Sequence, residues 1–369
     1  MKLIDLNYHS NKECKVPDEI IDRHRTSLGY VDYLNHNTEV IVVKHINFEG
    51  SATIREKQFT FFKRSNRFWQ IPSKTHRFIA EQKPDVIIVQ GFIFPLQVIK
   101  LRKKIGKKPI IILQHRGDVP PTGLRKKLQQ MADRHIDKYL FTSISQSEEW
   151  IRAGIISSAD KCIELQGGSI DFERFDREVA KENTQMTGEL NFLWVGRLDN
   201  NKDPLTVLKA FNRFCHIHPQ AKLHMIYNDD SILPAVDQFI SRSEDLSKCV
   251  NLIGAVDHNE ISQWYSAAEF YVSGSHREST GYALLEAMCC GCIPVVTDIP
   301  SFRKITADGE YGYLYQPGDA DGLFDVLQKM MEIDKEEMSL LVRAHFEKEL
   351  SFRAIAEKLV KLCKTLMKK

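Results

Sequence analysis

Two successive series of short apolar runs, each run followed by a longer helical pattern, set the architecture of this 369-residue chain. The first series contains EVIVVKHI near residue 40, DVIIVQGF after Pro84, IIILQHRGD after Pro109 and YLFTSIS after residue 138. The second contains NFLWVGRL, KLHMIYND, CVNLIGAV, EFYVSGS and CIPVVTD. Runs without an alternating polar face suit strands of a parallel sheet covered on both sides by helices. The polar stretch DREVAKENTQMTGEL, Asp176 to Leu190, separates the series and reads as a linker. An α/β chain is therefore expected, with two doubly wound domains at residues 1–180 and 188–350 and a ligand bound beyond the carboxyl ends of the strands.

With 43% hydrophobic and 27% charged residues the chain can bury a core of ordinary size. No apolar run approaches the roughly 18 residues that span a bilayer, and MKLIDLNYHSNKECK lacks the apolar core of a signal peptide, so a cytoplasmic location is expected. The eight cysteines show no paired CxxC spacing, and Cys289, Cys290 and Cys292 read as buried small residues. A GxGxxG after the first strand and a GxxxxGK[ST] are both lacking, which removes the main support for dinucleotide oxidoreductases and P-loop NTPases. Asp319 and Asp321 have a spacing that can hold a divalent metal, but QPGDADGLFDVL reads better as a turn feeding a helix that one of them caps.

The overall net charge of +2 conceals an excess of +9 in residues 1–175 and −7 in the remainder. Basic residues gather in KLRKKIGKK (Lys100 to Lys108), RKK (Arg125 to Lys127) and the aromatic FTFFKRSNRFW (Phe59 to Trp69). Solvated helix faces are one reading; attraction to an anionic membrane surface or a phosphate-bearing acceptor is the other. No nucleic-acid motif accompanies the charge, and no nucleic-acid partner is expected.

Two constellations carry chemistry. In FLWVGRLDNNKD, Gly196 ends a strand, and Arg197 and Lys202 lie on the loop leading to a helix that begins near Pro204. A guanidinium and an ammonium a few residues apart can clamp two phosphates, with charge-assisted bonds of roughly 1.5–3 kcal/mol each. In GSHRESTGYALLEAM, Ser279, Thr280 and Gly281 suit a helix start, with Glu278 at its mouth and Glu286 two turns along. The first-turn N–H groups and the Ser279 and Thr280 hydroxyls offer donors to an anion. A structural alternative makes Glu278 a cap and Glu286 a surface residue.

Together VGRLDNNKD and HRESTGYALLEAMCCGCIPVV resemble the retaining GT-B glycosyltransferases of the nucleotide-sugar-dependent group called family four. ISQSEEWIRAGI, LQGGSIDFERF, NLIGAVDHNEISQWYSAAEFYVSGS, YGYLYQPGDADGLFDVL and the closing SFRAIAEKLVKLCKTL extend the resemblance over roughly residues 85–369. The resemblance implies two Rossmann-like domains facing a central cleft, with a C-terminal helix at about residues 351–369 packing back on the first. It implies that Arg197 and Lys202, with Gly196 beside them, meet the donor diphosphate. Glu286 would hold the ribose, Glu278 the sugar, and the backbone at Ser279, Thr280 and Gly281 the sugar hydroxyls and phosphate. His115, at the strand end in LQHRGD, would lie beside the donor sugar, and Arg116 and Asp118 would be weaker acceptor-side candidates.

The implied reaction is retaining transfer from an NDP-sugar to an acceptor hydroxyl, without metal or other cofactor, in cell-surface polysaccharide or glycolipid synthesis. The acceptor would be a saccharide or lipid-linked, and the enzyme peripheral at the inner face of the membrane. Epimerase or phosphorylase chemistry, and a silent sugar-nucleotide-binding scaffold, are the alternatives. Three departures stand out: DLNYHSNKECKVPDEIIDRHRTSLGY lacks the adjacent glycines usual after the first strand, Asn228, Asp229 and Asp230 stand where glycines are common near the nucleotide, and EST replaces Gly-Phe after the first glutamate.

Overall fold

The computed structural model describes all residues except Lys12, Asp18, residues 20–22, His36, residues 64–68 and Lys369. Two compact units emerge, one formed by Met1–Ser169 with Phe352–Lys369 and one by Ile170–Ser351.

The sheet of the first unit contains β1 (Lys2–Asn11), β2 (Glu39–Ile46), β3 (Gly50–Ile54), β4 (Lys57–Phe62), β5 (Val86–Gln90), β6 (Ile110–Gln114), β7 (Lys138–Phe141) and β8 (Cys162–Glu164). Their order is β3-β4-β2-β1-β5-β6-β7-β8, parallel except for the β3–β4 hairpin. The apolar runs divide between two cores by the two-residue period of a strand. Leu3, Val40, Val42, Val86 and Ile88 enter one core, while Ile4, Leu6, Ile41, Val43, Ile87 and Val89 enter the other. The closing helix, Phe352–Met367, completes the first of these cores with Phe352, Ile355, Leu359 and Cys363. Gly29 permits this packing, because a Cβ there would come within 2.4 Å of the Phe352 ring.

The second unit holds β9 (Leu190–Gly196), β10 (Ala221–Tyr227), β11 (Val250–Gly254), β12 (Phe270–Ser273), β13 (Ile293–Thr297) and β14 (Tyr313–Tyr315). The order is β11-β10-β9-β12-β13-β14, every neighbouring pair being parallel. Phe192, Trp194, Phe270 and Val272 pack against helices on one face; Leu193, Tyr271 and Val296 pack on the other. Cys289, Cys290 and Cys292 are buried in this second core.

Two expectations need correction. The stretch Asp176 to Leu190 is no linker: Asp176 caps the helix Arg177–Thr184 by accepting from the N–H groups of Glu178 and Val179 at 3.0 and 3.3 Å. Its Ala180 is fully buried, and Lys181 pairs with the buried Glu269 at 3.2 Å, so a mostly polar helix is held by one small contact face and an ion pair. The division between units accordingly falls at Ser169/Ile170. The aromatic basic cluster also divides: Phe59 and Phe61 lie on β4 and enter the core, Trp69 is exposed, and residues 64–68 lie outside the described residues. The β3–β4 turn escaped notice because Arg55 and Glu56, at φ of 47° and 62°, take conformations usually signalled by Asn or Gly.

Removing the Phe352 ring leaves a cavity in a closed core. Phe352→Ala is expected to lower unfolding stability by about 3–5 kcal/mol, measured by urea denaturation. A change below about 1 kcal/mol would show that the closing helix is not anchored there.

Candidate nucleotide-sugar site

In the second sheet the chain starts at β9, moves outward to β10 and β11, then returns to β12 on the other side. The loops leaving the carboxyl ends of β9 and β12 therefore diverge from adjacent strands, the topological switch point at which open α/β sheets bind ligands. Arg197 and Lys202 lie on the first loop and Glu278, Ser279, Thr280 and Gly281 on the second.

The two loops are held together closely. His276 N donates to Asn201 O at 2.8 Å, and Asn201 Nδ2 donates to Arg277 O at 3.1 Å. A Cβ on Gly274 would stand 2.7 Å from Asp203 O and 3.2 Å from Lys202 O, so the contact requires glycine. Asp203 adopts φ 40° and caps the helix Pro204–Ile217, accepting from Thr206 N at 3.2 Å; its other carboxylate oxygen lies 3.0 Å from His276 Nε2. Beneath the second loop, Thr297 Oγ1 donates to Ser275 O at 2.5 Å and the Tyr315 hydroxyl to Ser273 O at 2.9 Å. Ser231 Oγ donates to Leu198 O at 2.9 Å, bracing the first loop from the segment after β10.

At this junction Lys202 Nζ forms an ion pair with Glu278, both side chains being largely sheltered. The Arg197 guanidinium reaches Asp199 at 3.0 Å, and its side chain stays 60% exposed. Gly196 ends β9 with the Lys202 stem over it, Ser279 is half-buried, and Thr280 and Gly281 are buried at the start of the helix Tyr282–Cys289.

Glu286 lies on that helix and is buried, against the surface alternative. Tyr265 donates its hydroxyl to Glu286 Oε2 at 2.9 Å. Burial pushes the Glu286 carboxyl up from 4.5 to about 7; the Tyr265 hydrogen bond and the charge of Lys202 oppose that shift. The arrangement gathers two cationic groups, two carboxyl groups and a helix N-terminus at one switch point. Asp319 caps the helix Ala320–Lys329 by accepting from Gly322 N at 2.9 Å, and Asp321 pairs with Arg213.

The remaining candidates lie in the first unit. His115 is buried against Phe92, Phe141 and Trp150, its Nε2 lying 2.9 Å from Asp118 O. Asp118 accepts from Phe92 N at 2.9 Å. Arg116 grips Gln90 Oε1 through two nitrogens, at 2.8 and 2.5 Å, and Gly167 O at 2.5 Å. Gln90 in turn donates to the fully buried Asp5 at 2.5 Å; Asp5 also accepts the Tyr30 hydroxyl at 2.7 Å and faces Lys44 at 3.7 Å. Burial and the nearby Arg116 push the Lys44 ammonium down, while Asp5 opposes them. Sequence reading missed this network because Asp5 and Lys44 sit singly inside apolar strands. It also missed Asp203, Tyr265 and His276; only Asp203 left a signal, a capping residue directly before proline.

The raised carboxyl of Glu286 has a stability consequence. Between about pH 4.5 and 7 the folded protein holds a proton that the unfolded chain releases, so folding stability falls as pH rises through this window. Glu286→Gln keeps an acceptor for Tyr265 and removes the charge. It should leave stability near about pH 4.5 little changed and raise it above about pH 8 by about 3 kcal/mol, read from denaturation at both pH values. An equal effect at both would show that Glu286 is not buried with a raised proton affinity.

Residues 176–344 match the family described as glycosyl transferases group 1, a segment within the second unit. Over 154 residues the chain is 28% identical to a phosphatidyl-myo-inositol mannosyltransferase of Mycolicibacterium smegmatis, covering 41% of this chain and 39% of that protein. It is 26% identical to the N-acetylgalactosamine-N,N'-diacetylbacillosaminyl-diphospho-undecaprenol 4-alpha-N-acetylgalactosaminyltransferase of Campylobacter jejuni, covering 57% of this chain and 54% of that one. The chain thus spans about half the length of such curated relatives. Whole-chain similarity is structural: a sucrose-phosphate synthase from Thermosynechococcus elongatus superposes with TM-score 0.70 at 17% identity, covering 99% of each chain. Anabaena HepE in complex with UDP gives 0.69 at 14% identity, covering 99% of this chain and 100% of that one. The fold is GT-B, and the domain at residues 176–344 is similar to the group 1 glycosyl transferases.

Proposed function

We propose that the chain transfers a sugar from a nucleoside diphosphate sugar to an acceptor hydroxyl, with retention at the anomeric carbon. The observation that carries this reading is the sheltered Lys202–Glu278 pair at the β9/β12 switch point, flanked by Arg197 and Glu286. Lys202 would exchange its bond to Glu278 for the donor diphosphate, leaving the carboxylate to accept from sugar hydroxyls. Arg197, exposed and able to fork, would meet the same diphosphate with the N–H groups before Tyr282. Glu286 would accept from the ribose hydroxyls.

As the bond from the anomeric carbon to the phosphate oxygen breaks, negative charge grows on the diphosphate, and these cationic groups stabilise it. In the same front-face step the acceptor oxygen bonds to that carbon while its proton passes to the leaving phosphate. This supply of positive charge is our reason for proposing catalysis without a divalent metal. His115 is read as a brace, since its contact with Asp118 fixes the loop that Arg116 and Asp118 shape.

HepE was solved with UDP and with UDP-glucose, which makes uridine nucleotides the first donors to assay. The names of the mannosyltransferase and the diphospho-undecaprenol enzyme favour a lipid-linked acceptor; the cytoplasmic face of a membrane, and glycolipid or surface-polysaccharide synthesis, are our extension of that reading.

Arg197→Ala combined with Lys202→Ala is expected to lower kcat/KM roughly a hundredfold or more, with a chelator leaving the parent rate nearly unchanged. Activity lost to chelator and restored by Mg²⁺ would overturn the metal-free mechanism. Glu278→Gln should reduce turnover more than affinity for the nucleoside diphosphate, compared by steady-state kinetics and calorimetry. Equal losses would assign Glu278 to holding the loop alone. Donor turnover without acceptor, dependence on inorganic phosphate, or binding without turnover would each replace the transfer reading.

A further inference from the structure

The helix Gly123–Asp133 is inverted relative to an ordinary surface helix. Two of its polar residues point inward: Gln129 Nε2 donates to Phe92 O at 2.6 Å, and Asp133 accepts the Tyr139 hydroxyl at 2.9 Å and pairs with Lys161 at 3.0 Å. Its large apolar residues point to solvent, with Leu124 73% and Met131 57% exposed and Leu128 half-buried between them, while the small Ala132 enters the core. Positions 124, 128 and 131 follow the i, i+4, i+7 spacing of one helix face, and Val119 in the preceding loop is 57% exposed. A helix that buries its amides and exposes its leucine gains nothing from that stripe in water.

A basic excess surrounds this helix in the sequence. Residues 86–132 contain ten lysines and arginines against one acid, Asp118, a net of +9 equal to that of residues 1–175 as a whole. Arg102 and Arg116 are turned inward onto carbonyl and amide oxygens. Eight remain toward the surface: Arg125, Lys126 and Lys127 on the inverted helix, and Lys100, Lys103, Lys104, Lys107 and Lys108 on or just after the helix Pro95–Ile105 packed beside it.

We propose that this face docks on an anionic lipid surface, with Leu124, Leu128 and Met131 entering the boundary between headgroups and acyl chains and the surrounding lysines meeting lipid phosphates. An apolar stripe bordered by basic residues is the composition that lies in a bilayer interface. Protein interfaces deplete lysine and favour aromatic anchors, and single-stranded nucleic acid needs aromatic stacking platforms; the stripe is aliphatic and its border mainly lysine. The surface rests on the reading of a membrane-borne acceptor, and its test measures lipid binding, so it can fail while donor binding stands.

The test is co-sedimentation of the full chain with phosphatidylcholine vesicles and with mixed phosphatidylcholine–phosphatidylglycerol vesicles, at low and raised salt. Binding is expected to require phosphatidylglycerol and to weaken with salt. Leu124→Ser with Met131→Ser should lower it by about tenfold or more, and Lys103→Gln, Lys104→Gln and Lys127→Gln by about fivefold each. A UDP thermal shift equal to that of the parent would show that each variant is folded with its donor site intact. Equal binding to both vesicle types, no binding to either, or variants that bind as the parent does would overturn the proposal. Self-association in sedimentation equilibrium abolished by Leu124→Ser would also overturn it, by assigning the face to a second copy.

Discussion

The parallel pairing of β9 with β12 is the constraint on which the candidate site depends. Phe270 and Tyr271 register with Phe192 and Leu193, although nearly eighty residues separate the strands. Because β10 and β11 lie on the other side of β9, no crossover covers the place where β9 and β12 end. Two loops distant in sequence leave adjacent strands in the same direction, and Glu278 of one meets Lys202 of the other. Neither loop has a regular structure to hold it there. Its position is maintained by the close approach at Gly274 and the bonds from Asn201, Ser231, Thr297 and Tyr315.

Those bonds hold groups in states that folding alone would not select. Asp203 occupies left-handed backbone space, which a carboxylate tolerates through local bonding but which still costs stability. Glu286 is buried at a position where an apolar residue would pack without titrating. Desolvation opposes its ionisation, while Tyr265 and Lys202 favour it. Stability thus favours a neutral side chain here, whereas the proposed ribose contact uses an acceptor. Conflict between local stability and the chemistry of a group is characteristic of functional sites.

Most of the fold was legible because parallel strands buried on both faces leave apolar runs that need no partner to be recognised, as in Val86–Gln90 and Ile293–Thr297. The site was legible to the extent that its residues came in two short segments, Gly196–Lys202 and Glu278–Glu286. What was not legible depends on pairing between segments. Arg177–Thr184 looked like a linker because the partner of its lysine, Glu269, lies far along the sequence, directly before β12. Asp5 and Lys44 looked incidental because each is intelligible only beside the other, and Tyr265 gave no sign that it would meet Glu286. The charge asymmetry was visible as a number, but the placement of exposed lysines beside an exposed apolar stripe was not.

That apolar stripe follows from a local reversal of the usual hydrophobic pattern. In GLRKKLQQMAD the leucines and methionine alone would lead a periodicity argument to place Leu124, Leu128 and Met131 toward the core. The opposite orientation is fixed by polar groups: Phe92 O needs a donor, which Gln129 supplies, and the buried Tyr139 hydroxyl needs an acceptor, which Asp133 supplies. An unmade buried hydrogen bond costs about 1–3 kcal/mol, comparable to the gain from burying a leucine, so two such bonds and an ion pair to Lys161 can decide which face turns inward. The exposed stripe is therefore a structural consequence of satisfying the interior, and the basic residues around it determine which kind of surface it can meet.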